Sequence, residues 1–352
     1  TYEVGPQAGN TTACLFADDG NFTVNVRVTD EDGGRTLDST IVAVDNLDPV
    51  ITSTTNDGPI DENTSATITI NATDVPADTL TYEYDCNNDL TYEVGPQAGN
   101  TAPCSFSGSG SFTVNVRVAD GDGGTATDST DVTVFATPII TPGIALILEG
   151  DSGSQVVSVP ITLSNQAATP VTIDFTTVDT GAPGISTAGT DYTAVSGTVT
   201  FLPGSTSETV DITIFGELID EPPALFGEWI PVSFTNPSAN ATLDVSFFGL
   251  GIGSIVDDDP PPTITPGLGL VLEGDVGSVF VDVPVTLSNP SAETITIDWT
   301  TVDTGGAGIA TEDVDYASAS GTVTFLPGDT EEFVTIEVFG DLLDEPPALY
   351  GE

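Results

Sequence analysis

The 352-residue sequence predicts an all-β fold built from several β-sandwiches in tandem. Short segments alternate apolar and polar residues, as in FTVNVRV at 22–28, where every second side chain faces the same side. Glycine and proline turns such as Leu202-Pro203-Gly204 separate these segments, and no stretch keeps the period of an amphipathic helix. Many short strands with this punctuation are typical of sandwiches.

Composition and charge narrow the possible functions. The chain carries 54 Asp and Glu residues against three arginines, and it has neither lysine nor histidine, so its formal net charge is -51. Almost no cation is available to contact phosphates, which excludes nucleic-acid binding and disfavours anionic membrane surfaces. Without histidine there is no Ser-His-Asp triad, and we expect no enzymatic activity. No apolar run is long enough to span a bilayer, so we expect no membrane insertion in this part of the protein.

Two internal repeats divide the chain into units. Residues 1–10 recur unchanged at 91–100, an offset of 90, and LEGDSGS at 148–154 recurs as LEGDVGS at 272–278, an offset of 124. We expect the first and fourth units to be a C-terminal half and an N-terminal part of a sandwich, within a longer tandem-repeat protein. The units are the first (1–45), the second (46–136), the third (137–260) and the fourth (261–352).

The three cysteines follow the first repeat. Cys14 and Cys104 occupy equivalent positions, and the equivalent of Cys86 would precede residue 1. We therefore interpret Cys86 and Cys104 as a disulfide, with a pair of buried free thiols as the alternative. Closing so short a loop is worth roughly 3 kcal/mol. A disulfide would place the protein in an oxidising compartment.

Two further expectations concern proline and tryptophan. Pro160 falls inside an alternating strand, and Pro284 holds the same place in the repeat. Because proline cannot donate a hydrogen bond to a neighbouring strand, we expect an edge strand or a bulge at both positions. Trp229 and Trp299 are predicted to be core residues.

The acidic triplet Asp257-Asp258-Asp259 follows the apolar pair Ile255-Val256. Adjacent anions repel one another by roughly 1 kcal/mol per pair at 4 Å even in water, and the chain has no lysine to neutralise them. Ca²⁺ accepts oxygen ligands in flexible geometry and is the natural counter-ion. If the strand continues, Asp257 and Asp259 face one side and Asp258 the other. The alternative is a solvated acidic turn.

The second unit carries LTYEYD at 80–85 and FTVNVRVADGDGG at 112–124. These two segments make the stretch 46–135 resemble a PKD domain, an immunoglobulin-like sandwich common in extracellular proteins. The stretch 1–45 resembles the second half of another copy. Asp85, Asn87 and Asp89 alternate as oxygen ligands do in calcium loops, although Leu90 stands where such a loop has glycine. Asn46 and Asp48 at the boundary between units are further candidates for a bound ion.

The third unit carries LEGD at 148–151, Asp191-Tyr192, GTVTFLPG at 197–204 and the closing acidic triplet, in that order. Because of these motifs and their order, the third unit resembles a Calx-beta domain. The fourth unit resembles a second copy. The resemblance implies Ca²⁺ at one end of the sandwich, and the alternative is a domain that has lost its ion. The implied ligands are Glu149, Asp191, Glu217, Asp220, Glu221, Asp257, Asp258 and Asp259 in the third unit, and Glu273, Asp315, Asp341 and Asp344 in the fourth.

These patterns favour a non-enzymatic, calcium-stabilised repeat region of a secreted or cell-surface fibre, filament or adhesin stalk. Its expected partners are neighbouring repeats or other copies in a fibre, together with cell-surface or matrix components. Two alternatives remain open at this point. One is a calcium-sensing regulatory module, and the other is a set of non-catalytic spacers in a larger secreted hydrolase.

Overall fold

The computed structural model describes residues 3–221, 227–306 and 309–342. These residues form 24 strands joined by turns, and no α-helix occurs in this described part of the chain. The predicted all-β fold is confirmed. Over the same residues no helix is long and apolar enough to cross a membrane.

The first unit is a β-hairpin. Strands β1 (Gly20–Thr29) and β2 (Arg35–Val44) pair antiparallel along their whole length, from Gly20 opposite Val44 to Thr29 opposite Arg35. The alternation predicted for this segment is present, but Val26 and Val28 are 51% and 66% exposed. No second sheet covers this face among the described residues of the first unit.

The second unit is a complete sandwich. Val116 and Val118 are equivalent to the exposed valines of the first unit, and both are fully buried in a core that includes Ile68 of the facing sheet. The same alternating segment therefore becomes core once an opposing sheet is present. One sheet contains β3 (Val50–Asn56), β5 (Thr64–Thr73) and β8 (Thr101–Phe106); the other contains β4 (Ile60–Asp61), β10 (Thr125–Phe135), β9 (Gly110–Ala119), β6 (Thr81–Asp85) and β7 (Val94–Gln97).

A disulfide joins the two sheets of the second unit. Cys86 directly follows β6, Cys104 lies in β8, and their Cα atoms are 5.4 Å apart. Cys104 is buried in the core, whereas Cys14 is a free, exposed thiol. The bond therefore closes the sandwich at the end where the acidic loop 85–89 leaves β6.

The third unit is the largest sandwich. Its core joins Val159 and Ile212 of one sheet, Ile173 of the other, and Tyr192 from the segment between β14 and β15, all fully buried. One sheet has the order β16-β13-β11-β18, and the other β12-β19-β17-β14-β15. The strands are β11 (Ile139–Pro142), β12 (Ile144–Leu148), β13 (Gly153–Leu163), β14 (Val171–Thr177), β15 (Ser196–Phe201), β16 (Ser207–Gly216), β17 (Glu228–Thr235), β18 (Thr242–Leu243) and β19 (Leu250–Val256).

The expectation of an edge strand at Pro160 is wrong. β13 lies between β16 and β11, and it pairs with both without a register shift. Pro160 is tolerated because β11 ends at Pro142, and the next residue, Gly143, donates its N–H to the Pro160 carbonyl at 2.8 Å. A proline can accept that bond, so no donor is missing there.

The fourth unit repeats part of this arrangement among its described residues. Strands β20 (Ile264–Pro266), β21 (Gly277–Leu287) and β24 (Glu331–Gly340) form one sheet, while β22 (Ile295–Thr300) and β23 (Ser320–Phe325) form another. Pro284 again lies in a central strand and accepts a hydrogen bond from Gly267 at 2.7 Å. Trp299 packs against the core as predicted, but Trp229 is 40% exposed, so its assignment to the core is wrong.

Candidate metal centre

Two parallel strands of the third unit bring the predicted acidic residues together. β12 and β19 pair in parallel, with Leu148 opposite Val256, so both chains leave the sheet at the same edge. Glu149 follows one strand and Asp257 the other, and the Glu149 N–H donates to the Val256 carbonyl at 3.1 Å. The sheet register alone therefore places residues that are far apart in sequence side by side.

Glu149, Asp257 and Asp259 form the tightest part of this edge, and we call these three residues the Glu149 cluster. One carboxylate oxygen of each lies within 4.8 Å of the other two. Asp257 is held by two backbone donors: the Glu221 N–H binds its Oδ2 at 3.0 Å, and the Asp259 N–H binds its Oδ1 at 2.9 Å. These bonds fix Asp257 without using all of its acceptor capacity.

Two oxygen atoms of the cluster lack any hydrogen-bond partner. Glu149 Oε1 and Asp259 Oδ2 are both buried and unbonded, and the Glu149 residue is only 4% exposed. A buried carboxylate oxygen without a donor is expensive for the folded state. A cation between these side chains would satisfy both atoms, so the residues present fit a bound metal ion.

The pKa values of these carboxyls are raised because the groups are buried close to other negative charges. Burial, followed by the charges of Glu221, Asp257, Glu217 and Asp259, raises the pKa of Glu149 to about 8. Burial, with Glu228, Asp191, Glu217 and Asp257 adding repulsion, raises the pKa of Glu221 to about 7. Without a cation, this end of the sandwich therefore retains protons near neutral pH.

Glu217 and Glu228 complete the acidic wall around the cluster. Burial is the largest cause that raises the pKa of each, and neighbouring carboxylates raise it further. Glu217 belongs to the implied ligand set, whereas Glu228 does not and was missed. The signal for Glu228 lies in the pairing, because it opens β17 directly opposite Ile255, the residue two positions before Asp257.

Three implied ligands have other positions. Asp258 turns away from Asp257 and accepts the Gly150 N–H on Oδ1 at 2.9 Å, in keeping with the predicted alternation. Asp191 accepts the Thr187 N–H within a tight turn, although its charge still raises the pKa values of Glu217 and Glu221. Asp220 contacts the fourth unit through its main chain, and its Oδ2 also accepts the Ser291 hydroxyl at 3.4 Å. None of the three belongs to the Glu149 cluster.

The corresponding end of the fourth unit is less well assembled. Among its described residues, no group of three carboxylates comes within ligand distance of one another. Asp315 repeats the role of Asp191, since it accepts the Thr311 N–H at 2.6 Å. Glu273 lies in the segment between β20 and β21, and Asp341 follows β24 directly. Asp344 lies outside the described residues.

The acidic loop of the second unit largely satisfies itself. Asp85 is 1% exposed and accepts the N–H groups of Asp89 and Leu90, at 3.2 and 2.9 Å, together with the Asn115 amide. Burial alone would raise the pKa of Asp85, but these hydrogen bonds outweigh it and hold the pKa below its ordinary value. Leu90 adopts a φ of 72°, the conformation for which a calcium loop uses glycine. Asp85, Asp89 and Glu93 approach within 4.8 Å of one another, and the Asn87 amide donates to Asp89 Oδ2 at 3.2 Å.

A further acidic group lies where the first and second units meet. Asp74, Asp78 and Asp120 approach within 4.8 Å of one another, and Asp78 also approaches Asp18 and Asp19 of the first unit. Asn46 donates its amide to Asp120 at 2.7 Å. Asn46 Oδ1, Asp74 Oδ2 and Asp78 Oδ2 are buried without a hydrogen-bond partner. Of the two boundary residues in the sequence prediction, Asn46 therefore takes part directly.

All of these centres are built from oxygen atoms alone. Carboxylate and amide oxygens suit hard cations such as Ca²⁺ and Mg²⁺. Ca²⁺ tolerates irregular geometry and six to eight ligands, which suits a cluster assembled from two strand ends and a loop. The described residues thus define a candidate cation-binding edge at one end of the third unit.

Comparison with known proteins finds one family model and several solved structures that are similar to parts of this chain. Residues 148–244 and 272–348 match the family model of the Calx-beta domain. The solved structure of CBD12 from CALX1.2 is 23% identical over 57% of this chain and 75% of that chain, with a TM-score of 0.29. The apo form of the Calx CBD1 domain is 23% identical over 35% of this chain and 99% of that chain, with a TM-score of 0.27. Cadherin domains 3–6 of protocadherin gamma B2 are 12% identical over 92% of this chain and 84% of that chain, with a TM-score of 0.28.

The chain is thus an all-β protein of tandem sandwiches. Its third and fourth units each contain a stretch that matches the Calx-beta domain, as the sequence resemblance implied.

Proposed function

We propose that this chain is a calcium-stabilised, non-catalytic structural region of a secreted or cell-surface fibre or stalk. The observation that carries the proposal is the Glu149 cluster, in which two buried carboxylate oxygens lack any hydrogen-bond partner. A divalent cation would neutralise part of this charge and bind both oxygens. In a chain of net charge -51, such neutralisation favours the folded state.

Several features support an extracellular setting. The Cys86–Cys104 disulfide is typical of proteins that fold in an oxidising compartment. Ambient calcium outside cells is plentiful, so weak sites with dissociation constants of about 10⁻⁴–10⁻³ M would be occupied there. The PKD-like character of residues 46–135 points in the same direction. On this proposal the partners are neighbouring repeats, other copies in a fibre, and components of the matrix or cell surface.

A calcium-sensing module is the second candidate function. It is favoured by the match to the Calx-beta domain and by the similarity to CBD12 of CALX1.1, which is described as a calcium-binding domain. A sensor requires affinity in the 10⁻⁷–10⁻⁵ M range, which is far tighter than a structural site needs. The measured affinity therefore separates the two functions. A spacer role beside a hydrolase would show in the sequence of the complete gene.

The deciding experiment is a calcium titration of the full chain. Calorimetry measures the binding of Ca²⁺, and thermal unfolding measures the stabilisation. Free Ca²⁺ at a hundred times its dissociation constant should stabilise the third unit by about 2.7 kcal/mol. Asp257→Asn should remove most of that gain, because it removes one charge of the cluster. Asp211→Asn is the matched control, since Asp211 is an exposed residue in the middle of β16.

The outcomes separate the possibilities. Saturation near millimolar Ca²⁺ supports the structural role, and saturation in the low micromolar range favours the sensor. Identical melting temperatures with Ca²⁺ and with EDTA would rule out calcium stabilisation. Equal losses in Asp257→Asn and Asp211→Asn would show that Ca²⁺ acts only as a general screen of negative charge.

A further inference from the structure

A carboxylate of the second unit is bound by a loop of the third unit. Asp61 at the end of β4 is 8% exposed, and its side chain reaches across the boundary to the loop that follows β13. Its Oδ1 accepts the Ala168 N–H at 2.6 Å, and its Oδ2 accepts the N–H of Thr169 at 3.2 Å and its hydroxyl at 2.5 Å. Three donors of one unit therefore converge on one carboxylate of another.

The equivalent loop of the fourth unit contacts the third unit. Residues 288–293 are equivalent to 164–169 by the repeat offset of 124, and we call both segments the junction loop. Here Ala292 donates its N–H to the Asp220 carbonyl at 2.9 Å, and Asp220 donates its own N–H to the Pro290 carbonyl at 3.1 Å. Ser291 at the centre is 3% exposed, as is the equivalent Ala167.

The junction loop also holds the linker that precedes its own unit. The Asn165 amide donates to the Ala136 carbonyl at 2.6 Å, and the Asn289 amide donates to the Pro260 carbonyl at 3.0 Å. The Ser164 hydroxyl accepts the N–H of Ile139, the first residue of β11, and the Ser288 hydroxyl accepts the N–H of Thr263, each at 2.9 Å. The same two side chains therefore perform the same task at both boundaries.

A second carboxylate fixes the linker from the other side. Glu62 accepts both the N–H and the hydroxyl of Thr137, at 2.9 and 2.6 Å. These bonds hold the pKa of Glu62 below its ordinary value. The linker between the second and third units is thus bound at both ends by side chains, and little of it is left to swivel.

We propose that the junction loop is a receptor for a polar acceptor group of the preceding unit, and that it fixes the orientation of successive units without a metal ion. At the first boundary the group received is the Asp61 carboxylate, and at the second it is the Asp220 main chain. Backbone and hydroxyl donors suit these acceptors, and they give a chain with few cations a way to bind carboxylates. The Glu149 cluster then stabilises a unit internally, while the junction loop orders one unit against the next.

Pulsed electron spin resonance can measure this order directly. Nitroxide labels on Ser111→Cys and Ser158→Cys, both exposed, report the distance between the second and third units in the full chain carrying Cys14→Ser. We expect a narrow distance distribution that is the same in Ca²⁺ and in EDTA. Asp61→Ala should broaden it in both solutions, because the three converging donors lose their acceptor.

Asp128→Ala is the matched control, since Asp128 is an exposed aspartate of the same unit in β10 and should leave the distribution narrow. Thr169→Val tests the boundary from the other side and should cause a smaller broadening, because the two backbone donors remain. If Asp61→Ala unfolds the second unit, the distance distribution of Thr169→Val tests the proposal in its place. A narrow distribution in both variants would overturn the proposal. A wild-type distance distribution that is broad in EDTA and narrow only with Ca²⁺ would also overturn the proposal. If Ca²⁺ does not bind at all, the calcium-stabilised function fails, but the distance distribution in EDTA still tests the junction loop.

Discussion

Glu149 is the residue at which burial and charge conflict most strongly. It is nearly inaccessible to solvent, it faces other carboxylates, and one of its oxygens has no hydrogen-bond partner. The Leu-Glu-Gly-Asp motif marks its position in sequence, but the motif does not reveal that the residue is buried. The burial is seen only in the structure, in which Glu149 directly follows β12 at the edge where β12 pairs in parallel with β19.

The raised pKa values predict an unusual pH dependence. The folded-state pKa of Glu149 is about 8 and that of Glu221 about 7, both above the ordinary 4.5. A carboxyl with a raised folded-state pKa favours folding most below its unfolded-state pKa. In EDTA the free energy of unfolding of the third unit should therefore fall as pH rises from about 4.5 to about 8.

Urea unfolding at several pH values checks this prediction. Glu149→Gln should flatten the decline and make the unit more stable than the wild type in EDTA at high pH, by about 1–3 kcal/mol. The same variant should weaken Ca²⁺ binding, since it removes a charged ligand. A wild-type stability in EDTA that rises with pH over this range would contradict the assigned burial of Glu149.

At the scale of the strand, sequence alternation was a reliable guide. The apolar set of β13 and the segment FTVNVRV both form strands with the predicted period. The edge-strand prediction for Pro160 and the core prediction for Trp229 failed for one reason. Both properties depend on which strands lie beside the residue, and the local sequence does not show this. Pro160 lies in a central strand and is tolerated there because β11 ends just beside it, and Trp229 is exposed although its strand is central.

The close approach of Gly143 to Pro160 gives a test at this scale. A Cβ at residue 143 would lie 2.9 Å from Pro160 Cγ and 3.2 Å from the Pro160 carbonyl oxygen. Gly143→Ala should therefore destabilise the third unit by about 1–3 kcal/mol, because the proline ring cannot move away.

Chemical denaturation with a fluorescent or circular-dichroism signal measures this loss. Gly108→Ala is the control, since nothing lies within 4 Å of a Cβ placed there. An alanine at residue 143 that leaves the midpoint unchanged would show that β11 and β13 separate more easily than their contacts indicate.

At the scale of the whole molecule, the chain is a series of separate cores. The second, third and fourth units each have their own cluster of buried apolar residues. Among the described residues, the hydrogen bonds that join units involve the junction loops, Asp61, Glu62 and the acidic groups. We therefore expect the units to unfold in separate steps, since two-state behaviour holds for single domains.

The disulfide tests this independence. Replacing Cys86 and Cys104 together by serine should destabilise the second unit by about 2–4 kcal/mol and lower only its own calorimetric transition. The transition of the third unit should stay in place. Cys14→Ser should change neither transition, because Cys14 is exposed and unpaired. A joint shift of both transitions would indicate one cooperative core.

The sequence by itself determined the fold class, the internal repeats, the paired cysteines and the acidic residues from which a cation site can be built. Periodicity, repetition and composition are local properties, and a chain carries them before it folds. Only the tertiary structure decided which carboxylates meet. It brought Glu149 to Asp257 and Asp259, directed Asp258 to Gly150, and added Glu228. It also showed that Asp61 crosses to the next unit. Such contacts depend on strand register and on the placement of one unit beside another, and no local pattern encodes them.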